Sequence, residues 1–435
     1  MDLVFELIKR YFSALSGELF IGGIPASSLA AQYGTPLFVY DRNTIDRKLT
    51  LLRETLPPDF LIYYSVKANP HHAILQHFVG RDCGLEVASA GEFARALAAG
   101  CSPEKILFAG PGKTEAELEF VLARDIGEIH IESLLEARRI SAICRRLGKR
   151  AHLAVRVNSV GEVQGGAMRM GGKPAPFGVD EEQLEEVLGH LLTLPGLELC
   201  GIHLFTGTQI LDHKVLAAQY GRGLDIAKRV ATRLQKPLAT VDFGGGLGIP
   251  YFAGDRHLDM ECLRESLAAM MAQVRKEPYF SGTRFIVEPG RYLVGEAGIY
   301  IARVNDVKTS RGKKFLVLDG GMHHHLAASG NLGQVIKRNF PLTVIDKLNR
   351  SEKEMVDIVG PLCTPLDTLG REIEVPAANV GDLIGIFQSG AYGRSASPID
   401  FLSHPAPAEV WIGDEKSTLI SRPGSYGPQS DASAR

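Results

Sequence analysis

Eight short apolar segments, separated by stretches of helical periodicity, constrain the fold of this chain more than any other feature. Apolar runs of strand length that alternate with amphipathic helices are typical of parallel sheets covered by helices. Eight such units within roughly 250 residues, with no glycine-rich dinucleotide-binding sequence in the first, favour a closed barrel over an open doubly wound sheet. We therefore predict an α/β fold built on a (β/α)8 TIM barrel, with strands at residues 60–66, 84–87, 106–108, 128–131, 152–157, 198–205, 240–243 and 283–287.

The pattern changes after the eighth strand. Between residues 298 and 420, strand-like runs are broken by Gly, Pro and Asp, which predicts a second, mostly β domain. Residues 37–40 form a short apolar run that could add a strand to this domain. The predicted divisions are an N-terminal segment over 1–35, the barrel over 36–295, a C-terminal β domain over 296–421 and a flexible, Gly/Ser/Pro-rich tail over 422–435.

Composition narrows the class of protein. The 435 residues are 45% hydrophobic with a formal net charge of -2, a balance typical of an enzyme and not of a nucleic-acid-binding protein. The six cysteines include no C-x-x-C pair, so neither disulfides nor a zinc site is indicated. The start of the chain lacks the basic region of a signal peptide, and no apolar run approaches membrane-spanning length. We predict a cytoplasmic protein with no membrane and no nucleic-acid partner.

A lysine directly follows the first predicted strand, in the sequence Tyr64-Ser65-Val66-Lys67-Ala68-Asn69. Enzymes with (β/α)8 barrels assemble their active sites at the C-terminal ends of the strands. A lysine that simply leaves a strand for solvent is the more ordinary interpretation. The residues that follow other strands favour a catalytic role for Lys67.

Three other predicted strands end in groups that suit one ligand. Gly244-Gly245-Gly246 follows the seventh strand and would let backbone N–H groups approach an anion closely. Glu288 and Arg291 follow the eighth strand, while His203 and Phe205 share one face of the sixth. A flexible turn, a surface salt bridge and barrel packing are the ordinary alternatives. Together with the lysine, an anion cradle, a carboxylate and a flat ring describe a site for pyridoxal phosphate.

With these motifs, the chain resembles the fold-type III pyridoxal phosphate decarboxylases, which include diaminopimelate and ornithine decarboxylases, across about residues 25–415. The resemblance implies pyridoxal 5'-phosphate as cofactor and decarboxylation as the reaction. Besides the strand-end motifs, it is carried by Gly360-Pro361-Leu362-Cys363 and Gly390-Ala391-Tyr392-Gly393.

The resemblance also implies residue roles. Lys67 would form the Schiff base, Glu288 would keep the pyridine nitrogen protonated, and Cys363 would protonate the substrate carbon from the partner subunit of a homodimer with shared active sites. The implied cofactor-binding residues are Lys67, Phe205, Thr208, Gly244, Gly245, Gly246, Glu288, Gly290, Arg291 and Tyr392. The implied substrate-binding residues are Arg291, His203, His324, Thr364 and Tyr392.

Departures from the family pattern concern the substrate. Relatives that bind a distal ammonium carry an acidic residue directly after the cysteine, whereas this chain has Cys363-Thr364-Pro365. Diaminopimelate decarboxylases follow Asp-x-Gly with an arginine and a tyrosine that read the distal carboxylate, whereas this chain continues from Asp319 into three histidines. Where relatives carry His-x-Gly-Ser, Phe205 and Thr208 keep a flat ring and a hydroxyl. The pocket is therefore predicted to accept a different distal end.

The segments GGMHHHLAAS, GPLCTPLD and SGAYGRSASPIDFLSHPAPAE resemble a narrower subgroup, which decarboxylates a glutamyl unit held as a thioester on an acyl carrier protein. A thioester has a neutral distal end and needs no buried acid. This implies an acyl carrier protein as a possible partner. Diaminopimelate and a siderophore intermediate stay open as alternative substrates.

Other functions and a metal site fit the sequence less well. A P-loop at residues 108–114 would need glycine at position 107, where the chain has Leu107. Amino-acid racemisation fits less well because Glu288 favours a protonated, electron-withdrawing ring. A non-catalytic carrier of the cofactor would not need the second domain. Consecutive histidines in a strand would point to opposite faces, so no metal is predicted.

Overall fold

The structure is a computed structural model that describes residues 2–160, 168–169, 174–205, 207–334 and 336–425. It forms two compact units, one of Thr50–Ile249 with Arg256–Tyr292 and the other of Met1–Leu49, Pro250–Asp255 and Leu293–Arg435. This division differs from the predicted domains, since the N-terminal residues group with the C-terminal β domain. Residues 426–435, most of the predicted flexible tail, lie outside the described residues.

The first unit is built on a closed parallel barrel, which confirms the predicted fold class. Its eight strands pair in chain order, and the eighth closes onto the first with Ile286 opposite Leu61. Most strand residues are buried, because helices cover the outside of a parallel barrel while side chains fill its interior. The barrel strands are Phe60–Ser65, Gly84–Val87, Ile106–Phe108, Glu128–Ile131, Ala151–Asn158, Leu197–His203, Thr240–Asp242 and Arg284–Val287.

Side-chain caps define where the barrel helices begin. Ser89 and Ser133 each accept a backbone N–H of the first helical turn, and Thr114 forms a reciprocal capping box with Glu117. These signals are local, which explains why the sequence predicts the helices that follow them. The helices of this unit are His72–Val79, Ala90–Ala98, Glu115–Leu122, Leu134–Leu147, Leu184–Leu191, His213–Leu234 and Met260–Val274.

The second unit is mostly β. Its long strand Gly298–Ser310 pairs antiparallel with Leu37–Asp41, which in turn pairs parallel with Ala408–Gly413. These main-chain bonds explain why residues near the N-terminus belong to this unit. Its other strands are Ser13–Leu15, Glu18–Ile21, Ile24–Pro25, Lys313–Leu318, Leu342–Val344, Lys353–Val359, Thr368–Pro376, Leu383–Ile386 and Lys416–Ser421.

Two helices, Leu3–Tyr11 and Ala26–Tyr33, supply apolar side chains to the core of the second unit. Two further helices, Arg42–Thr55 and Arg291–Val294, cross the boundaries between the units in the chain. Among the described residues, no helix combines the length and the apolar character needed to cross a membrane.

A buried ion pair joins Lys48 and Glu296 in the second unit, and Tyr11 Oη donates to the same carboxylate at 3.0 Å. Burial lowers the pKa of Lys48, and the neighbouring Glu296 opposes that effect. We expect Lys48→Met to reduce the free energy of unfolding of this unit by about 3–5 kcal/mol, because the Glu296 charge stays buried without its cation.

The single tryptophan, Trp411, lies in the same unit, so its fluorescence during urea unfolding measures the free energy of unfolding of that unit. The matched control is Lys353→Met, which breaks a solvent-exposed pair with Glu374 and should change stability little. Equal urea midpoints for both variants would contradict the expectation.

Candidate active site

Lys67 lies in a single 3-10 turn, Val66–Ala68, directly after the first barrel strand. Its side chain is 44% exposed, although both neighbours in the turn are buried. The loop after the eighth strand packs against this turn, where a Cβ on Gly290 would lie 2.8 Å from the Cβ of Ala68. Glycine at position 290 therefore permits the close approach of two strand ends.

Glu86, at the end of the second strand, faces the lysine. Its carboxylate lies 3.3 Å from Lys67 Nζ and accepts a hydrogen bond from Ser65 Oγ at 2.5 Å. The Phe205 ring centroid lies 5.8 Å from the same Nζ. The amine is thus held between a buried carboxylate and an aromatic ring.

The three glycines after the seventh strand bring backbone close to neighbouring strand ends. Gly244 and Gly246 have φ of +68° and +98°, which side chains rarely tolerate. A Cβ on Gly245 would lie 2.6 Å from the carbonyl oxygen of Glu288. Larger residues would push this turn away from the strand ends, so the cradle predicted for a phosphate depends on glycine.

A buried cluster of imidazoles and carboxylates lies at the ends of the fourth, sixth, seventh and eighth strands. The rings of His130 and His203 stack with centroids 4.3 Å apart. His203 Nε2 lies 3.4 Å from Glu288 Oε2, and His130 Nε2 lies 3.2 Å from Glu128 Oε1. The second carboxylate oxygen of Glu288, Oε1, is buried and has no hydrogen-bond partner among the described residues.

Burial controls the protonation of this cluster. It raises the pKa of Asp242 well above its usual range, and the nearby Glu288 adds to the effect. It lowers the pKa of His203, as do the charges of His130 and Arg156. His203 is therefore neutral at neutral pH, and Asp242 can retain a proton beside Glu288.

A second cluster of charged side chains is centred on Glu132, which follows the fourth strand. Glu132 accepts from Arg156 Nη1 at 2.8 Å and from the backbone N–H groups of Gly110 and Gly178. Burial would raise the pKa of Glu132, but Arg156 and Lys113 outweigh it and hold that pKa below its usual range. This arrangement positions the Arg156 guanidinium, whose Cζ lies 5.9 Å from the Phe205 ring centroid.

These residues fit the implied cofactor. The unsatisfied Glu288 Oε1 is a buried acceptor that the N–H of a pyridinium ring would satisfy. The glycine turn would admit a phosphate, and Arg291 begins a helix just after the eighth strand. Thr208, predicted to bind the cofactor, is half-buried in the strand Gly207–Thr208.

The same cluster meets the distance criterion for a metal site. Ligand atoms of His130, His203 and Glu288 lie within 4.8 Å of one another. The predicted absence of a metal therefore remains a prediction.

The other predicted site residues lie in the second unit. Cys363 is exposed and Thr364 half-buried in the loop after Gly360. Tyr392 has φ of +54°, a left-handed conformation that is uncommon for bulky residues.

His324 lies in a turn. Its Nε2 donates to the Pro405 carbonyl at 3.0 Å, and its Nδ1 lies 3.1 Å from Tyr300 Oη. Burial, with a smaller effect from His323, lowers the pKa of His324 to about 3. Since both ring nitrogens have protein partners, this geometry supports a structural role and gives no support to substrate binding.

The sequence reasoning missed several polar residues of the site. Each is a charged or imidazole side chain in a mostly buried barrel strand, and such a side chain is the signal that could have found them. They are Glu86, Glu128, His130 and Arg156, together with Asp242 at the end of the seventh strand.

Comparison with known proteins agrees with this geometry. The family model described as "Pyridoxal-dependent decarboxylase, pyridoxal binding domain" matches residues 42–295. The chain is 37% identical over 401 residues to the L-glutamyl-(BtrI acyl-carrier protein) decarboxylase of Niallia circulans, covering 92% of this chain and 93% of that protein. It is 32% identical to the diaminopimelate decarboxylase of Aquifex aeolicus, with 97% of each chain covered.

Among solved structures, the chain is similar to diaminopimelate decarboxylase from M. jannaschii in complex with L-lysine. The TM-score is 0.88 at 26% sequence identity, and 96% of each chain is covered. The similarity therefore extends over both compact units.

Proposed function

This chain belongs to the family of pyridoxal-dependent decarboxylases, and we propose that it removes the α-carboxylate of an amino acid whose distal carboxyl is masked as a thioester or amide. The observation that carries the choice of substrate is the loop from Pro361 to Leu366, which contains no acidic residue beside Cys363. A glutamyl unit on an acyl carrier protein is the substrate that fits best.

The barrel residues would bind and orient the cofactor, pyridoxal 5'-phosphate. Lys67 would hold it covalently, and Glu86, 3.3 Å from the amine, would help control the charge on Nζ. Glu288 would accept the pyridine N–H, while Gly244–Gly246 and Arg291 would bind the phosphate. When bound, the cofactor supplies an electron-withdrawing ring that stabilises the charge left by the departing carboxylate.

The surroundings of Glu288 support that role. His203 lies 3.4 Å from the carboxylate and burial lowers its pKa, so this imidazole stays neutral and does not compete with a pyridinium for the Glu288 charge. Asp242 can retain a proton, which limits the repulsion between two adjacent buried carboxylates. Asp242 would then carry the proton of this pair, and Glu288 would offer its unsatisfied Oε1 to the pyridine N–H.

Cys363 would return a proton to the substrate carbon after carbon dioxide leaves. Its thiol is exposed on the second unit, which suits a group that must reach a substrate. Tyr392 is a further residue of the second unit that would contact the cofactor. In a homodimer, both would act in the active site of the partner subunit.

Thr364 is central to the substrate assignment. Its Oγ1 accepts the backbone N–H of Leu366 at 3.3 Å, and its carbonyl accepts that of Asp367 at 3.2 Å. A threonine used in this way offers no charge to a distal ammonium, whereas a neutral thioester needs none. Diaminopimelate is the second candidate, since 97% of the chain aligns with a diaminopimelate decarboxylase.

Mixing two inactive variants tests the shared active site. We expect Lys67→Ala and Cys363→Ala proteins to be nearly inactive alone and to recover activity after subunit exchange. A random mixture contains half mixed dimers with one intact site each, so about a quarter of the wild-type activity should return. The measurement is carbon dioxide release, with subunit exchange followed by native mass spectrometry. Proven exchange without recovery would contradict sharing.

A further inference from the structure

Asp367 ends the loop that carries Cys363, and its carboxylate is almost fully buried. Oδ1 accepts the backbone N–H of Met322 at 2.6 Å, and Oδ2 accepts that of Leu362 at 2.9 Å. One carboxylate thus joins two separate segments of the second unit, the loop from Gly360 to Asp367 and the turn that begins at Gly321.

Two glycines make room for this carboxylate. A Cβ on Gly321 would lie 2.3 Å from Asp367 Oδ1, and a Cβ on Gly360 would lie 2.3 Å from Asp367 Oδ2. Real Cβ atoms do not approach oxygen so closely, so any larger residue at either position would displace the Asp367 side chain. The carboxylate therefore occupies a fitted cradle.

Two further hydrogen bonds, to main-chain carbonyls, hold the same loop. The N–H of Gly360 donates to the carbonyl of Asp367 at 3.1 Å, and the side-chain amide of Asn331 donates to the carbonyl of Leu366 at 3.1 Å. Cys363 is exposed between these tethered ends. The loop is thus held at both ends while its thiol stays accessible.

The carboxylate is held by backbone hydrogen bonds. Its hydrogen-bond donors among the described residues are the backbone N–H groups of Met322 and Leu362. Burial raises the pKa of Asp367, and the N–H groups of Met322 and Leu362 oppose that effect, as does the charge of His404. Charge-assisted bonds of this kind are stronger than those of a neutral side chain.

We propose that Asp367 is a positioning residue, which clamps the Cys363 loop to the turn at Gly321 and Met322 so that the thiol is held in place for proton delivery. The inference rests on the proposed role of Cys363. A group that must reach a reacting carbon loses rate steeply when it is misplaced, since a displacement of about 1 Å can cost roughly a hundredfold.

Asp367→Asn is the first test, because it replaces an acceptor oxygen with an amide that must face a backbone N–H. We expect faster hydrogen exchange of the Met322 and Leu362 amides and a kcat lower by roughly tenfold to a hundredfold. The control is Asp382→Asn, which removes another buried carboxylate of the same unit; Asp382 accepts the N–H of Asn379 and also pairs with Lys347. This control should leave the exchange of the Met322 and Leu362 amides and kcat close to wild type.

Gly360→Ala is a second, independent test, since it displaces the carboxylate without removing it. It should speed the hydrogen exchange of the Met322 and Leu362 amides, and it should also lower kcat. If both variants retain wild-type exchange and wild-type kcat, the inference is overturned.

A double variant separates positioning from general damage. In the Cys363→Ala background, Asp367→Asn should lower the residual kcat by less than about twofold, because residues that act through one another are not additive. An equal loss in both backgrounds would overturn the inference. Full activity of Cys363→Ala alone would overturn it too. If Asp367→Asn still speeds the exchange of the Met322 and Leu362 amides in that case, the proposed role of Cys363 has failed and the clamp itself stands.

Discussion

Lys67→Ala is expected to abolish decarboxylation and to leave a protein that loses pyridoxal phosphate on dialysis. The residue supplies the amine at the end of the first barrel strand, beside the Glu86 carboxylate at 3.3 Å. Without it, the cofactor can be held only by noncovalent contacts and the covalent exchange with substrate is lost. We expect kcat to fall by at least about a thousandfold, which corresponds to about 4 kcal/mol of transition-state stabilisation.

Carbon dioxide release and the visible absorbance of the dialysed protein measure the two effects separately. Lys105→Ala is the matched control, because Lys105 is an exposed lysine of the same unit that pairs with Asp82. It should retain both cofactor and activity. Normal turnover by Lys67→Ala would contradict the assignment of the whole site.

Free diaminopimelate, lysine and ornithine are expected to be poor substrates, whereas a glutamyl pantetheine thioester should react fast. The loop beside Cys363 places Thr364 where amine-binding relatives are expected to carry an acid. Burying a distal ammonium without a partner costs several kcal/mol, or roughly a thousandfold or more in kcat/KM. A carrier arm would add binding energy remote from the reacting carbon.

The measurement compares carbon dioxide release from diaminopimelate, ornithine, free glutamate and the glutamyl thioester under the same conditions. Thr364→Asp is the informative variant, since a carboxylate at this position should improve kcat/KM for diaminopimelate relative to the thioester. If the wild-type protein prefers diaminopimelate, our reading of Thr364 is wrong and diaminopimelate decarboxylation is the function.

Local sequence determined the barrel, the family and the positions of the strand-end motifs. Strand-length apolar runs and helix caps such as Thr114 act over a few residues, so they can be read without knowing the fold. The C-terminal ends of parallel barrel strands converge, which is why Lys67, Gly244–Gly246 and Glu288 could be assigned to one site. The family match to residues 42–295 confirms the family, and the assignment of these residues to one site stays a prediction.

The partners of those residues were decided only by the tertiary structure. Glu86 faces Lys67 from the next barrel strand, and His130 and His203 pack against Glu288 from strands that lie far from it in the chain. No local pattern records which buried polar side chains meet, because strand register and side-chain packing determine those contacts.

Two residues of the second unit also have contacts that the sequence alone does not predict. The sequence identified Cys363 from its motif, but the clamp by Asp367 requires Gly321 to lie beside a loop about 40 residues away in the chain. His324 was assigned to substrate binding from its sequence context, whereas folding gives both of its ring nitrogens protein partners. The sequence determined which chemical groups are present, and the folded chain decided which of them face a ligand and which are used to hold the structure together, because buried polar groups must first be satisfied.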